Sequence, residues 1–228
     1  MIYITSDTHF YHKNIIEYCN RPFSDVEEMN EVLIENWNNT VSKEDTVFHL
    51  GDFTMAEYIQ GKSYAERYIH TATKLIHRLN GKIILIKGNH DPSIKILKEL
   101  PWSVSSSNQR FGEFILSHKP IFNCDAINIH GHMHDKMPFI HEDGFNVSVD
   151  VTGFKPVKLL DIRGIVNKDK ISKFCKQLEE TWQKFPSLRF NQLLYNLYMR
   201  AYNTADLNKL YPIGNDALYE VIKSGKMC

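Results

Sequence analysis

Residues 81–91 read Gly-Lys-Ile-Ile-Leu-Ile-Lys-Gly-Asn-His-Asp. Gly81 and Gly88 bracket an apolar run from Ile83 to Ile86, and a short strand that is apolar on both faces belongs in the middle of a covered sheet. Working outward, comparable runs predict strands at 2–5, 46–50, 82–87, 113–117, 126–130, 145–149 and 157–161. Capping boxes announce two helices between them. Ser24 with Glu27 opens one whose Val26, Met29, Leu33 and Trp37 share a face, and Ser63 with Glu66 opens one that buries Tyr68, Ala72, Leu75 and Leu79. Short apolar runs alternating with amphipathic helices imply an α/β domain, its sheets sandwiched by helices.

The residues that follow the strands carry the chemistry. Asp7-Thr8-His9 follows the first, Gly51-Asp52 the second, Gly88-Asn89-His90-Asp91 the third, His118 the fourth and Gly131-His132-Met133-His134 the fifth. Ligands bind at the carboxyl ends of strands in open α/β sheets, so five loops deliver polar side chains to one rim. Asp7, His9, Asp52, Asn89, His118, His132 and His134 offer oxygen and nitrogen donors without a thiolate. Such a set suits two divalent cations with exchangeable positions, Mn²⁺ first, with Fe, Ni²⁺, Co²⁺ or Zn²⁺ also compatible, and it does not suit a closed structural zinc site. In an extended segment residues i and i+2 project alike, which would aim Asp7 with His9 and His132 with His134 at a common point. Gly51, Gly88 and Gly131 precede ligands, where a missing Cβ lets the backbone approach closely.

The order DxH, GD, GNHD, H, GHxH resembles the calcineurin-like metallophosphoesterase superfamily, and SDTHFYHKNI, NRPF and DTVFHLGDF resemble a compact branch of it found in bacteria and phages. The resemblance spans Asp7 to His134 and implies a four-layer α/β/β/α sandwich reaching about Arg163. It implies that Asp7, His9, Asp52 and His134 hold one metal and Asp52, Asn89, His118 and His132 the other, with Asp52 bridging and His90 beside them as general acid. Two divalent cations less two carboxylates and one hydroxide leave a net charge of about +1 for a phosphate. The implied reaction is phosphoester hydrolysis by a metal-bridged hydroxide, leaning towards diesters such as cyclic or small nucleotides. Asp91 is a candidate to orient His90, or else a helix N-cap before Pro92; His12 and Arg21 are candidates to contact the substrate phosphate together with Asn89, or else surface residues. His49 and His130 read as buried hydrogen-bonding residues, Trp37 as core, and His70, His77 and His141 as ordinary surface or helix-face histidines.

Composition bounds the rest. The chain has 228 residues, 43% of them hydrophobic, enough for a real core, and its 27 basic side chains balance 27 acidic ones, so it lacks the basic surplus of a DNA-coating protein. No apolar run nears the roughly 20 residues of a membrane span, and Cys19, Cys124, Cys175 and Cys228 lie far apart, which points to reduced thiols in the cytoplasm and no membrane partner. Residues 1–163 carry 17 basic and 21 acidic side chains, while 164–228 carry 10 and 6. A metallophosphoesterase domain over 1–165 and a helical C-terminal extension over 166–228 are therefore expected. In the extension Ile171, Phe174, Cys175, Leu178 and Trp182 recur at helical spacing, as do Phe190, Leu193, Leu194, Leu197, Tyr198 and Ala201, with Pro186 between, and a shorter helix is expected over 216–223. Those stripes pack together or on the body; alternatively, five tyrosines and the basic excess make a nucleic-acid surface. Two rival functions stay open, a nuclease or nucleic-acid-end phosphatase using the extension, and a non-catalytic metal-bearing scaffold.

Overall fold

A computed structural model describes residues 1–106, 108–190, 192–194 and 196–197. The strands are β1 (Ile2–Thr5), β2 (Thr46–His49), β3 (Lys82–Ile86), β4 (Ser103–Ser105), β5 (Gln109–Phe111), β6 (Phe114–Ser117), β7 (Ile127–His130), β8 (Ile140–His141), β9 (Gly144–Asn146) and β10 (Val157–Lys158). The helices are α1 (Ile15–Tyr18), α2 (Val26–Thr40), α3 (Tyr64–Ile76), α4 (Ile94–Leu97) and α5 (Leu159–Gln183). The strands form two five-stranded sheets, one ordered β10-β1-β2-β3-β4 and the other β5-β6-β7-β9-β8. This is the mixed α/β, two-sheet sandwich that the sequence predicts. In the first sheet β1 to β4 run parallel and β10 is antiparallel; in the second β6, β7 and β9 run parallel.

Alternation along the strands divides the core. Val47 and Ile83 join Met29, Leu33 and Trp37 of α2 and Tyr68, Ala72 and Leu75 of α3 in one buried cluster. Phe48, the next residue, meets Phe111 of the second sheet with ring centres 5.6 Å apart. The helices thus cover one face of the first sheet while the second sheet covers the other. The two sheets also meet at the rim, where Ser6 bridges to Ser148 and Val149 N–H donates to the Ser6 carbonyl at 3.1 Å. That junction sets the loops after β1 and β9 side by side.

Several boundaries differ from the expectation. Ser63 and Glu66 do form a reciprocal capping box. At α2, however, Asp25 is the N-cap and accepts from Glu28 N–H, while the Glu28 carboxylate accepts from Ser24 N–H and Oγ, so the cap sits one residue later than Ser24 and Glu27 would place it. The polar strands Ser103–Ser105 and Gln109–Phe111 carry no apolar run to betray them. The strand expected over 157–161 ends at Lys158, where α5 begins.

The chain divides into two compact units, Met1–Ile162 and Arg163–Cys228. Within the second, Leu193 and Leu197 are buried against Phe174, Leu178 and Leu188. Tyr198, Ala201 and the helix expected over 216–223 lie outside the described residues. Among the described residues no helix is long and apolar enough to cross a membrane.

Candidate metal centre

The loops after β1 and β2 continue the pairing of their strands, with Asp7, His9 and Phe10 N–H donating to the carbonyls of Gly51, Asp52 and Phe53. In these loops Asp7, His9 and Asp52, and in the loop after β7 His132 and His134, all have positive φ, between 49° and 70°. Side chains at i and i+2 therefore do not converge because the segment is extended, as expected, but because a left-handed residue alternates with an ordinary one. L-residues resist that conformation by about 1–2 kcal/mol each, and such strain collects at functional sites. Gly131 makes the crossing of the two sheets possible, since a Cβ there would overlap Ser6 Oγ and Asp7 Oδ2.

Two donor groups take up the expected ligands, and Cys19, His134 and Asp150 form a further group that shares His134. Asp7, His9 and His134 form the first and Asp52, His118 and His132 the second, the ligand atoms of each lying within 4.8 Å of one another. Asp52 stands between them: Oδ1 accepts from His90 N–H at 2.8 Å, while Oδ2 lies 3.7 Å from His9 Nε2 and 3.4 Å from His118 Nε2. Asn89 joins the second group through Oδ1, 2.7 Å from His118 Nε2.

The unsatisfied atoms test whether cations fit. Asp7 Oδ2 accepts from His132 N–H at 2.8 Å and from the Ser148 hydroxyl at 2.9 Å, but Asp7 Oδ1 and His9 Nε2 are buried without a hydrogen-bond partner. Orphaned buried lone pairs cost free energy unless something unseen satisfies them. His118 repeats the pattern, because its Nδ1 donates to the Leu50 carbonyl at 2.7 Å, which in the neutral ring leaves Nε2 as a lone pair facing the Asn89 and Asp52 oxygens. Lone pairs converging without intervening protons fit a divalent cation, and the donors present fit the group the sequence implies.

Electrostatics agree. Burial, then the nearby Asp7 and Asp91 carboxylates, push the Asp52 carboxyl up to about 7. Burial and then the charge of His134 hold the His9 imidazole well below its ordinary value, and burial followed by His118 lowers that of His132. Burial opposes the charged form of His134 too, but its hydrogen bond to Asp150 prevails and raises it to about 10. Burial and like-charged neighbours thus push the Asp52 acid up and hold His9 and His132 as uncharged nitrogen donors, while His134 is the imidazole that its carboxylate partner raises.

The other expected residues are placed as follows. His90 and Asn89 are exposed at the rim, and the His90 ring lies edge-on to that of His9 with centres 5.4 Å apart. His12 is half-buried and lies against His9, Nδ1 to Nδ1 at 3.3 Å, where it positions that donor. Arg21 overturns its expected role. It is buried, and its five N–H donors are spent on both Asp150 oxygens, the carbonyls of Asp7 and Thr8, and Met29 Sδ. Nothing remains for a substrate phosphate. Asp91 neither orients the His90 ring nor caps a helix, since α4 starts after Ser93. Its oxygens accept from the N–H groups of Asp52, Gly88 and Phe53 and from the Tyr68 hydroxyl, fastening the loops after β2 and β3 together. His49 and His130 are fully buried and hydrogen-bonded, but His141, expected at the surface, shares a 2.8 Å contact with His130 Nε2.

Two contributors went unread. Asp150 Oδ2 accepts from His134 Nδ1 at 2.7 Å and fixes that ring, and Ser148 holds Asp7. Asp150 directly follows the strand predicted over 145–149, so the rule that exposed the other five loops also points to it.

A family model described as calcineurin-like phosphoesterase matches residues 1–206. An uncharacterized protein of Methanocaldococcus jannaschii is 41% identical over 187 residues, 78% of this chain and 97% of that one. The gene 66 protein of Mycobacterium phage L5 is 36% identical over 89 residues, 39% of each chain. Among solved structures, a protein of unknown function from Aquifex aeolicus superposes with a TM-score of 0.51 at 27% identity, covering 72% of this chain and 98% of that one.

Proposed function

The chain belongs to the calcineurin-like phosphoesterase family, and from that premise we propose that it hydrolyses a phosphodiester, a small or cyclic nucleotide, at a pair of divalent cations. The observation that carries this reading is Asp52 Oδ2, aimed at once towards the histidine nitrogens of both donor groups. Asp7, His9 and His134 would hold one cation and Asn89, His118 and His132 the other, with Asp52 shared and Mn²⁺ favoured by the donors. Such cations polarise phosphoryl oxygens and make water acidic enough to attack near neutral pH.

The chain's own residues supply the rest. Asp150 holds the Nδ1–H of His134 and so turns Nε2 towards the site, where a cation would take the place of its proton, and the Leu50 carbonyl fixes Nδ1–H of His118 in the same way. His90 is held by its own N–H on Asp52 with its ring at the open rim, where it can give a proton to a departing oxygen. Action in a reducing compartment such as the cytoplasm accords with the free thiols of Cys19, Cys124 and Cys175.

Hydrolysis of bis-p-nitrophenyl phosphate, p-nitrophenyl phosphate and the dinucleotide TpT with added Mn²⁺ tests the proposal. Asp52→Asn should lose at least roughly a hundredfold in kcat. His90→Ala should lose roughly a hundredfold on TpT, whose alkoxide needs a proton, and much less on the nitrophenyl diester, whose phenolate leaves unaided. Turnover of none of the three, or full activity in Asp52→Asn, overturns the reading.

A further inference from the structure

A cavity of about 340 Å³ adjoins the second donor group, lined by Asn89 and His118 together with Lys87, Lys119, Asn108 and Ile121. That volume is the size of a small-ligand site. Its charge is one-sided: no carboxylate lines it among the described residues, and none pairs with either lysine. Lys87 spends one of its three donors on the Gly88 carbonyl at 2.7 Å. Lys119 is exposed, yet its backbone is clamped. Ser117 Oγ donates to the Lys119 carbonyl at 2.7 Å, and Ile121 N–H donates to Asn128, a fully buried amide that itself holds Ser117 Oγ and the Ile115 carbonyl. Two lysines, one with its ammonium on the Gly88 carbonyl and one with its backbone held, therefore line the cavity beside Asn89 and His118, outside the ligand set and with no carboxylate paired to either among the described residues.

We propose that this cavity receives a second phosphate group of the substrate, so that the preferred substrate is a diester carrying a further phosphate, such as a 5′-phosphorylated dinucleotide or the end of a longer strand. A substrate with only the reacting phosphate leaves both lysines unpaired. The inference rests on the hydrolase reading for what happens at the cations, but the binding it predicts is measured without turnover.

Calorimetric titration of the full chain in Mn²⁺ with phosphorothioate-linked TpT and pTpT tests it. The 5′-phosphate should tighten binding by roughly tenfold, as expected of charge-assisted hydrogen bonds. In the Lys87→Gln, Lys119→Gln double variant the ratio of the two affinities should fall close to one, whereas Lys119→Arg should keep it. Equal affinities in the unsubstituted protein, or a preference untouched by the double variant, overturn the inference. Bis-p-nitrophenyl phosphate assayed in parallel separates the two readings. Turnover with no phosphate preference leaves the hydrolase standing without this subsite, and a lysine-dependent preference without turnover leaves the subsite standing without the hydrolase.

Discussion

Arg21 shows how much of a site can hang on a residue that never touches substrate. Its guanidinium forks onto Asp150 from a position 129 residues away in the chain and ties down the carbonyls of Asp7 and Thr8, while Asp150 in turn fixes His134. Burial pushes the Asp150 carboxyl up, but the His134 hydrogen bond and the Arg21 charge prevail and hold it below its ordinary value. A carboxylate so depressed stabilises the fold above its unfolded pKa, and that share is lost as pH falls through the folded one. Lysine keeps the charge but cannot form the fork or reach the carbonyls together. Arg21→Lys should therefore cost about 3 kcal/mol in urea unfolding, move the acid-unfolding midpoint to higher pH and weaken Mn²⁺ binding at least roughly tenfold. An Arg21 that served only substrate would leave all three unchanged and raise KM alone.

At the level of elements, the turns between strand and ligand decide the site. Asp91 joins two of them, each oxygen facing two donors, with Tyr68 kept protonated because burial, then the Asp91 charge, holds its hydroxyl far above the ordinary range. Asp91→Asn turns one oxygen into an N–H pair that confronts other N–H groups, so the variant should lose about 2 kcal/mol of stability and bind Mn²⁺ more weakly. If Asp91 served the His90 ring instead, calorimetry would show unaltered stability and only the alkaline limb of the pH–rate profile would move. The sequence exposes the strands that end in ligands, because apolar runs and donor residues sit together in 46–52, 82–91 and 126–134. It hides what depends on long-range partners: Asp91 reads like a cap or an orienting acid until Asp52 and Phe53 are seen to lie beside it. Ser103–Ser105 is hidden for another reason, since an edge strand that buries little needs no apolar pattern. Left-handed φ at Asp7 and His9 leaves no mark in composition at all.

For the whole molecule, cation binding and folding are one equilibrium. The left-handed backbone of five candidate ligands, the buried carboxylates of Asp7 and Asp52, and His9 Nε2 without a hydrogen bond are costs that cation binding would offset. Ligands that bind only the folded state raise its stability by mass action, so Mn²⁺ at a hundred times its Kd should add about 2.7 kcal/mol and a chelator should remove it. Protons set how this varies with pH. Asp52, pushed up to about 7, and His134, raised to about 10, hold protons that a cation must displace, whereas His9 and His132 are lowered and already offer lone pairs. Mn²⁺ affinity should therefore rise with pH, by roughly tenfold per unit for each proton displaced, most steeply below 7 where both groups are protonated. Calorimetry in buffers of different ionisation enthalpy counts those protons directly. Between one and two released per chain at pH 6.5 matches a centre built on Asp52 and His134, and none released means that the cations bind elsewhere.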